Sequence, residues 1–141
     1  MTIIFTDIDG VLNTITKIEW NKTSIDLYNK LCHEFDLKTI VTSTWRTNHT
    51  IYQLQNIFWN QGVENEIYDF TPIFPESGRG EEIEYWLKCN QWDNYIILDD
   101  NTRDMESTGL KNIVKCRGYV GFSEEEYQIC RNILNSSKTP I

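Results

Sequence analysis

No apolar run in this 141-residue chain approaches the ~20 residues that span a bilayer, and no basic region followed by an apolar stretch opens it. The expectation is a cytoplasmic protein without a membrane span. Positive charge is scarce: 13 Lys and Arg stand against 21 Asp and Glu, a net charge of −8. Extensive non-specific nucleic-acid binding, which needs many phosphates neutralised by Lys and Arg, is not expected, although a local basic pocket remains compatible with this balance. The four cysteines (Cys32, Cys89, Cys116, Cys130) show no Cys-x-x-Cys spacing, so no disulfide framework is indicated. Proline is rare, and two of the three, Pro72 and Pro75, fall in the least regular stretch, 62–80. There is no internal repeat and no low-complexity segment.

What the chain does have is a globular composition, 40% hydrophobic and 13% aromatic, and a length that suits one domain with a single substantial core. That domain is assigned to residues 1–135, with a polar tail at 136–141. Strand-like and helix-like segments alternate, as in a parallel sheet with helices on its faces. Apolar runs predict strands from Ile3, at Lys38–Thr42 and at Tyr95–Leu98, with weaker ones at Glu66–Asp69 and Asn112–Cys116. Helical spacing predicts helices over Ser24–Phe35, Asn48–Asn60, Gly80–Asn90 and one ending near Leu134. Thr23 with Asp26 resembles a capping box for the first of these, and Ser123 with Glu126 for the last.

The most informative stretch is Ile3-Ile4-Phe5-Thr6-Asp7-Ile8-Asp9-Gly10-Val11-Leu12. A buried strand reads as a continuous apolar run, and this one runs into two carboxylates. Ligands bind at the carboxyl ends of strands in open parallel sheets. On an extended backbone, residues at i and i+2 point the same way, so Asp7 and Asp9 are expected to face one small volume. Such a pair repels itself unless a cation compensates it, and a hard, oxygen-seeking ion such as Mg²⁺ would do so. A plain turn would also use Asp and Gly.

Three further junctions tip the balance: Thr42/Ser43 after the second strand, Arg79 at the start of a helix, and Asp99/Asp100 after Tyr95–Leu98. Together with Asp7/Asp9 they supply what phosphoryl transfer needs: a nucleophile, metal ligands, a cation and small hydrogen-bond donors. The set resembles the haloacid-dehalogenase-like (HAD) phosphohydrolase superfamily. Ile3–Leu12 matches its first motif, Ile40-Val41-Thr42-Ser43 its second, Arg79-Gly80-Glu81-Glu82-Ile83 its third, and Ile97-Leu98-Asp99-Asp100 its fourth. Ser43-Thr44-Trp45-Arg46, Trp86-Leu87 and Gly121-Phe122-Ser123-Glu124-Glu125 resemble, more narrowly, a small subgroup of phage and bacterial proteins with RNA-repair-like associations. The phosphatase half of phage polynucleotide kinases is a more distant likeness.

The resemblance implies an α/β, three-layer Rossmann-like fold, with a central parallel sheet and helices on both faces. It also implies roles. Asp7 would be the nucleophile and Asp9 the general acid–base; Asp99, with Asp7 and the Ile8 carbonyl, would hold Mg²⁺. Asp100 would act through the metal's waters or by orienting Arg79. Ser43, or Thr42 one residue earlier, would donate to the phosphoryl oxygens, and Arg79 would neutralise them. The candidate metal set is therefore Asp7, Asp9, Asp99 and Asp100, and the candidate substrate contacts are Thr42, Trp45 and Arg46. Arg46 is a clamp on a second phosphate or a surface ion-pair residue; Trp45 is a base-stacking platform or core; Asp104 is an outer acid or a helix-start residue. Arg replaces the commoner Lys in the third motif, and either neutralises phosphate.

No inserted segment is long enough for a cap domain. An open site suits a phosphate on a large substrate, so the expected activity is Mg²⁺-dependent hydrolysis of a phosphomonoester on a nucleotide or nucleic-acid end. The expected partners are such a phosphorylated small molecule or nucleic-acid terminus. The alternatives are a catalytically weak HAD-fold protein that sequesters a phosphorylated ligand, and a scaffold on the same fold.

Overall fold

The computed structural model describes residues 1–15 and 19–138. Five strands, β1 (Thr2–Thr6), β2 (Leu37–Val41), β3 (Ile67–Phe70), β4 (Asn94–Asp99) and β5 (Ile113–Lys115), form one sheet in the order β3-β2-β1-β4-β5. Every pairing is parallel. The helices are α1 (Lys22–Phe35), α2 (Ile51–Gln61), α3 (Arg79–Cys89) and α4 (Glu124–Lys138), with 3-10 turns at Thr44–Thr47 and Arg103–Met105.

The middles of β1 and β4 are continuous apolar runs because both faces are covered. Ile4, Val41, Ile96 and Leu98 join one core with α1, α2 and α4 through Tyr28, Leu54, Phe58 and Tyr127. Their neighbours Ile3, Phe5, Ile40, Tyr95 and Ile97 join the other with Ile83 and Trp86 of α3. The period-2 alternation of strand side chains thus divides the apolar residues between two layers of helix. This is the three-layer Rossmann-like arrangement, without a cap. Among the described residues, no helix is long and apolar enough to cross a membrane.

Several boundaries differ from expectation. Helix α1 begins at Lys22 and not at Ser24, because Asn21 is its cap and accepts from Ser24 N–H at 3.2 Å; Thr23 lies inside the helix. Helix α2 starts at Ile51, after the 3-10 turn, on a reciprocal capping box between Thr50 and Gln53. The Ser123–Glu126 pair does meet, with Ser123 N–H donating to Glu126 Oε1 at 2.9 Å. Helix α4 runs through Lys138, so the expected tail is helical in part, and Thr139–Ile141 lie outside the described residues. The loop after β1 is closed by an antiparallel bridge between Asn13 and Trp20.

The sheet order places the reversal of winding between β1 and β4, which pair in register with Thr6 opposite Leu98. Their carboxyl ends deliver Asp7 and Asp99 side by side. In doubly wound sheets that crevice is where ligands bind.

Candidate active site

Asp7 follows the last residue of β1 and still takes part in the sheet, its N–H donating to Leu98 O at 3.1 Å. Its Oδ1 accepts from Ile8 N–H at 2.8 Å, and its Oδ2 meets Arg79 Nη1 at 2.7 Å. Asp99 closes β4 fully buried; its Oδ1 accepts from Asn101 N–H at 3.0 Å, and its Oδ2 meets the same Arg79 Nη1 at 2.9 Å. One guanidinium nitrogen therefore stands between two carboxylates. Carboxylate oxygens of Asp7, Asp99 and Asp100 all lie within 4.8 Å of one another.

Burial pushes Asp99 up to about 7; the negative charge of Asp7 adds to this, and Arg79 offsets part of it. Asp7 is likewise raised, by burial first, with Arg79 pulling the other way. Burial works against the charge of Arg79, but Asp7 and Asp99 together outweigh it and hold its pKa above the ordinary arginine value. Fully ionised, the trio would carry more negative charge than one arginine balances, which fits a divalent cation held by oxygen ligands in place of the proton.

Asp100 is enclosed by backbone. Gly10 has a φ of +84°, and a Cβ there would collide with the Asp100 carboxylate; a Cβ on Gly118 would stand 2.9 Å from Asp100 Oδ2. Arg79 is placed by its own helix terminus: Gly78 offers no capping side chain, and Asp104 Oδ2 from the neighbouring turn accepts from Arg79 N–H at 2.7 Å. Asp104 thus serves the start of α3 while it also lines the depression. Asp7, Asp9, Arg79, Asp100, Asn101 and Asp104 line an open depression of about 340 Å³. A larger one, about 550 Å³, lies between α1 and Glu64–Asn65, away from the carboxylate trio.

Two expectations about the first motif need correction. Strand β1 ends at Thr6, and the chain turns at once: Ile8 O accepts from the N–H groups of Val11, Leu12 and Asn13. That carbonyl is engaged in the turn and is not offered to a metal. The same turn removes the extended geometry that would have aimed Asp7 and Asp9 alike. Asp9 lines the depression but lies outside the carboxylate trio. Its Oδ1 accepts from Asn13 Nδ2 at 3.0 Å and its Oδ2 from Trp45 Nε1 at 3.1 Å.

In the second motif, Thr42 and Ser43 are both buried and follow β2 directly, with Thr42 N–H donating to Thr6 O at 3.0 Å. Ser43 Oγ accepts from Trp45 N–H at 3.2 Å, which leaves its own proton free to donate elsewhere. Trp45 is half-buried, packed on the core, stacked on His49 and edge-on to Trp20.

Arg46 is not on offer to a second phosphate. Its Nε donates to Thr71 O at 3.1 Å, its Nη1 to the carbonyls of Thr42 and Ser43, and its Nη2 to Pro72 O at 3.1 Å and Glu82 Oε1 at 2.7 Å. A guanidinium has five N–H donors, and all are used. The pair with Glu82 is buried and is not the surface contact of the alternative reading. Glu82 in turn accepts from Phe74 N–H at 2.9 Å through Oε2.

Asn13, Glu82 and Asn101 were given no role on sequence grounds. Asn13 acts from within the turn after β1 and Glu82 on Arg46 from thirty-six residues away, so no local spacing points to either.

Searches of the curated proteins and of the solved structures return no match. A family described as the HAD domain in Swiss Army Knife RNA repair proteins matches residues 3–127, a span that takes in all four motifs. With the parallel sheet, the switch-point aspartates and Arg79 already in place, the chain belongs to that family of HAD domains, a phosphohydrolase-type group.

Proposed function

We propose that this protein is a Mg²⁺-dependent phosphomonoesterase that works through an aspartyl-phosphate on Asp7 and acts on a phosphorylated nucleic-acid end or a nucleotide. The observation that carries the reading is Arg79 Nη1 between Asp7 Oδ2 and Asp99 Oδ2 at the switch point of the sheet. A cation beside a carboxylate nucleophile is positioned to neutralise the phosphoryl oxygens as they approach.

An Asp7 carboxylate oxygen attacks phosphorus, and the bond to the leaving oxygen breaks. Asp9 delivers a proton to that oxygen, then takes one from the water that attacks the acyl phosphate; inorganic phosphate leaves and Asp7 is restored. Ser43 or Thr42 donates to the phosphoryl oxygens, and Arg79 balances their charge. Asp7, Asp99 and Asp100 would hold the Mg²⁺, which when bound supplies further neutralisation of that charge.

The open depression and the lack of a cap favour a phosphate presented at the end of a larger molecule. The RNA-repair association of the family supports the same substrate class, and the acidic surface limits contact to that end. The test is a Mg²⁺ phosphatase screen over 5′- and 3′-phosphorylated oligonucleotides, nucleotides and sugar phosphates. Phosphate release from a nucleic-acid end, abolished by Asp7→Asn, is expected. No release above background from any of them, or release that survives Asp7→Asn, overturns the reading.

A further inference from the structure

Asp9 is the exposed residue of an otherwise buried turn past the end of β1. An aspartate in such a place is free to sample several staggered side-chain wells. A general acid has to stand within hydrogen-bond reach of the oxygen it serves, and misplacement by an ångström is costly. Yet both oxygens of Asp9 are held, each by one donor from a different part of the chain.

We propose that Asn13 and Trp45 are positioning residues for Asp9, fixing its carboxylate toward the depression through one N–H each. The proposal rests on the phosphatase reading, in which Asp9 is the general acid–base.

Each donor is itself fixed. Asn13 is buried, and its Oδ1 accepts from Gly10 N–H at 3.0 Å, which sets the orientation of its amide and turns the NH₂ to Asp9. Trp45 stacks on His49 with ring centroids 5.5 Å apart and an interplanar angle of 23°, and His49 Nδ1 lies 2.8 Å from Trp45 O. Trp20 meets the indole edge-on at 5.6 Å and is braced by Phe58 at 5.6 Å. The indole therefore has little freedom to move its Nε1–H.

The chemistry of the two donors suits the task. An indole N–H donates only, and the Asn13 NH₂ does the same, so neither exchanges protons with Asp9. Each carboxylate oxygen has room for two partners, so one donor on each leaves a second direction open toward the leaving oxygen. The Ser43-Thr44-Trp45-Arg46 turn then has three uses: the Ser43 hydroxyl for the phosphoryl group, an indole for Asp9, and an arginine that ties the turn to α3. This is a different use for Trp45 from stacking on a nucleobase.

Trp45→Phe removes the N–H and keeps a ring against Trp20 and His49. On an alkyl phosphate, whose leaving oxygen needs a proton, kcat/KM should fall roughly tenfold, with less than about a twofold loss on p-nitrophenyl phosphate. Asn13→Asp keeps the acceptor for Gly10 N–H, removes the donor, and should show the same leaving-group signature. In an Asp9→Ala background, Trp45→Phe should cost nothing more, because the two residues act as one unit. Independently of turnover, the Trp45 indole N–H resonance, identified by its loss in Trp45→Phe, should shift in Asp9→Ala. A resonance indifferent to Asp9→Ala overturns the contact. Equal losses on both esters in Trp45→Phe and Asn13→Asp, or a further loss on the Asp9→Ala background, assign the two residues to packing and overturn the positioning role. Equal losses on both esters in Asp9→Ala itself instead overturn the general-acid reading, and the proposal with it.

Discussion

Arg79 stands between Asp7 and Asp99, the one cation to do so among the described residues, and the state of those two carboxylates follows from how much charge it can balance. Asp99 is raised from 3.8 to about 7, by burial first and by Asp7 second. The folded protein thus holds a proton here that the unfolded chain has already released. The stabilising contribution is full below about 3.8 and lost as pH rises through about 7. In metal-free protein, this group should lower the melting temperature across that window, and millimolar Mg²⁺ should restore it most strongly at the upper end. A melting temperature that rises over the same window in wild type and is unaltered in Asp99→Asn would assign Asp99 an ordinary carboxyl. Gly10 offers a second test, because φ is +84° and its missing Cβ makes room for Asp100. Gly10→Ala should cost about 1–2 kcal/mol for the left-handed backbone alone and should weaken Mg²⁺ binding by calorimetry. Unchanged Mg²⁺ affinity would mean that Asp100 does not need that space.

At the scale of elements, the second motif and α3 are joined by Arg46 and Glu82. Arg46 holds the carbonyls of Thr42 and Ser43 on one side and those of Thr71 and Pro72 on the other, while Glu82 lies one helical turn from Arg79. Removing one member of a buried pair leaves the other uncompensated, typically about 3–5 kcal/mol. Arg46→Ala and Glu82→Ala should each destabilise the fold by that order in denaturant titration. Activity on p-nitrophenyl phosphate and on a phosphorylated oligonucleotide should fall together, since both residues act on the scaffold. A loss confined to the oligonucleotide would restore Arg46 as a substrate clamp. From sequence alone, Arg46 beside a hydroxyl motif looks like a phosphate ligand, because nothing local shows that four backbone carbonyls from two loops converge on it. The helix starts divide in the same way. The Ser-x-x-Glu pattern at Ser123 and Glu126 is legible in the sequence, and both its bonds run from Ser123 to Glu126 Oε1; Thr50 with Gln53 is the pair that closes a reciprocal box. Thr23 was misread because Asn21, two residues earlier, caps α1 without a partner acid to advertise it.

For the molecule as a whole, the winding order was legible because apolar strands ending in acids recur in sequence, and a parallel sheet sets those ends along one edge. Asp7, Arg79, Asp99 and Asp100 could therefore be grouped before any geometry was known. The orientation of Asp9 could not, since it depends on a turn that begins one residue after β1 and on an indole thirty-six residues away. Metal binding to the folded state alone should stabilise the protein by about 2.7 kcal/mol at a hundred times Kd, roughly 5–10 °C for a domain of this size; Asp7→Ala or Asp99→Ala should remove the shift seen by calorimetry, and a shift that persists in both would move the site elsewhere. The claim on which the account turns is a covalent intermediate on Asp7. It is tested most directly by mixing the enzyme with Mg²⁺ and ³²P-labelled p-nitrophenyl phosphate, quenching in acid within one turnover, and counting label on the protein. The account predicts label that is stable in acid, released by hydroxylamine, mapped to Asp7 and absent from Asp7→Asn; phosphate released with no label on the wild-type protein, or turnover persisting in Asp7→Asn, would contradict it.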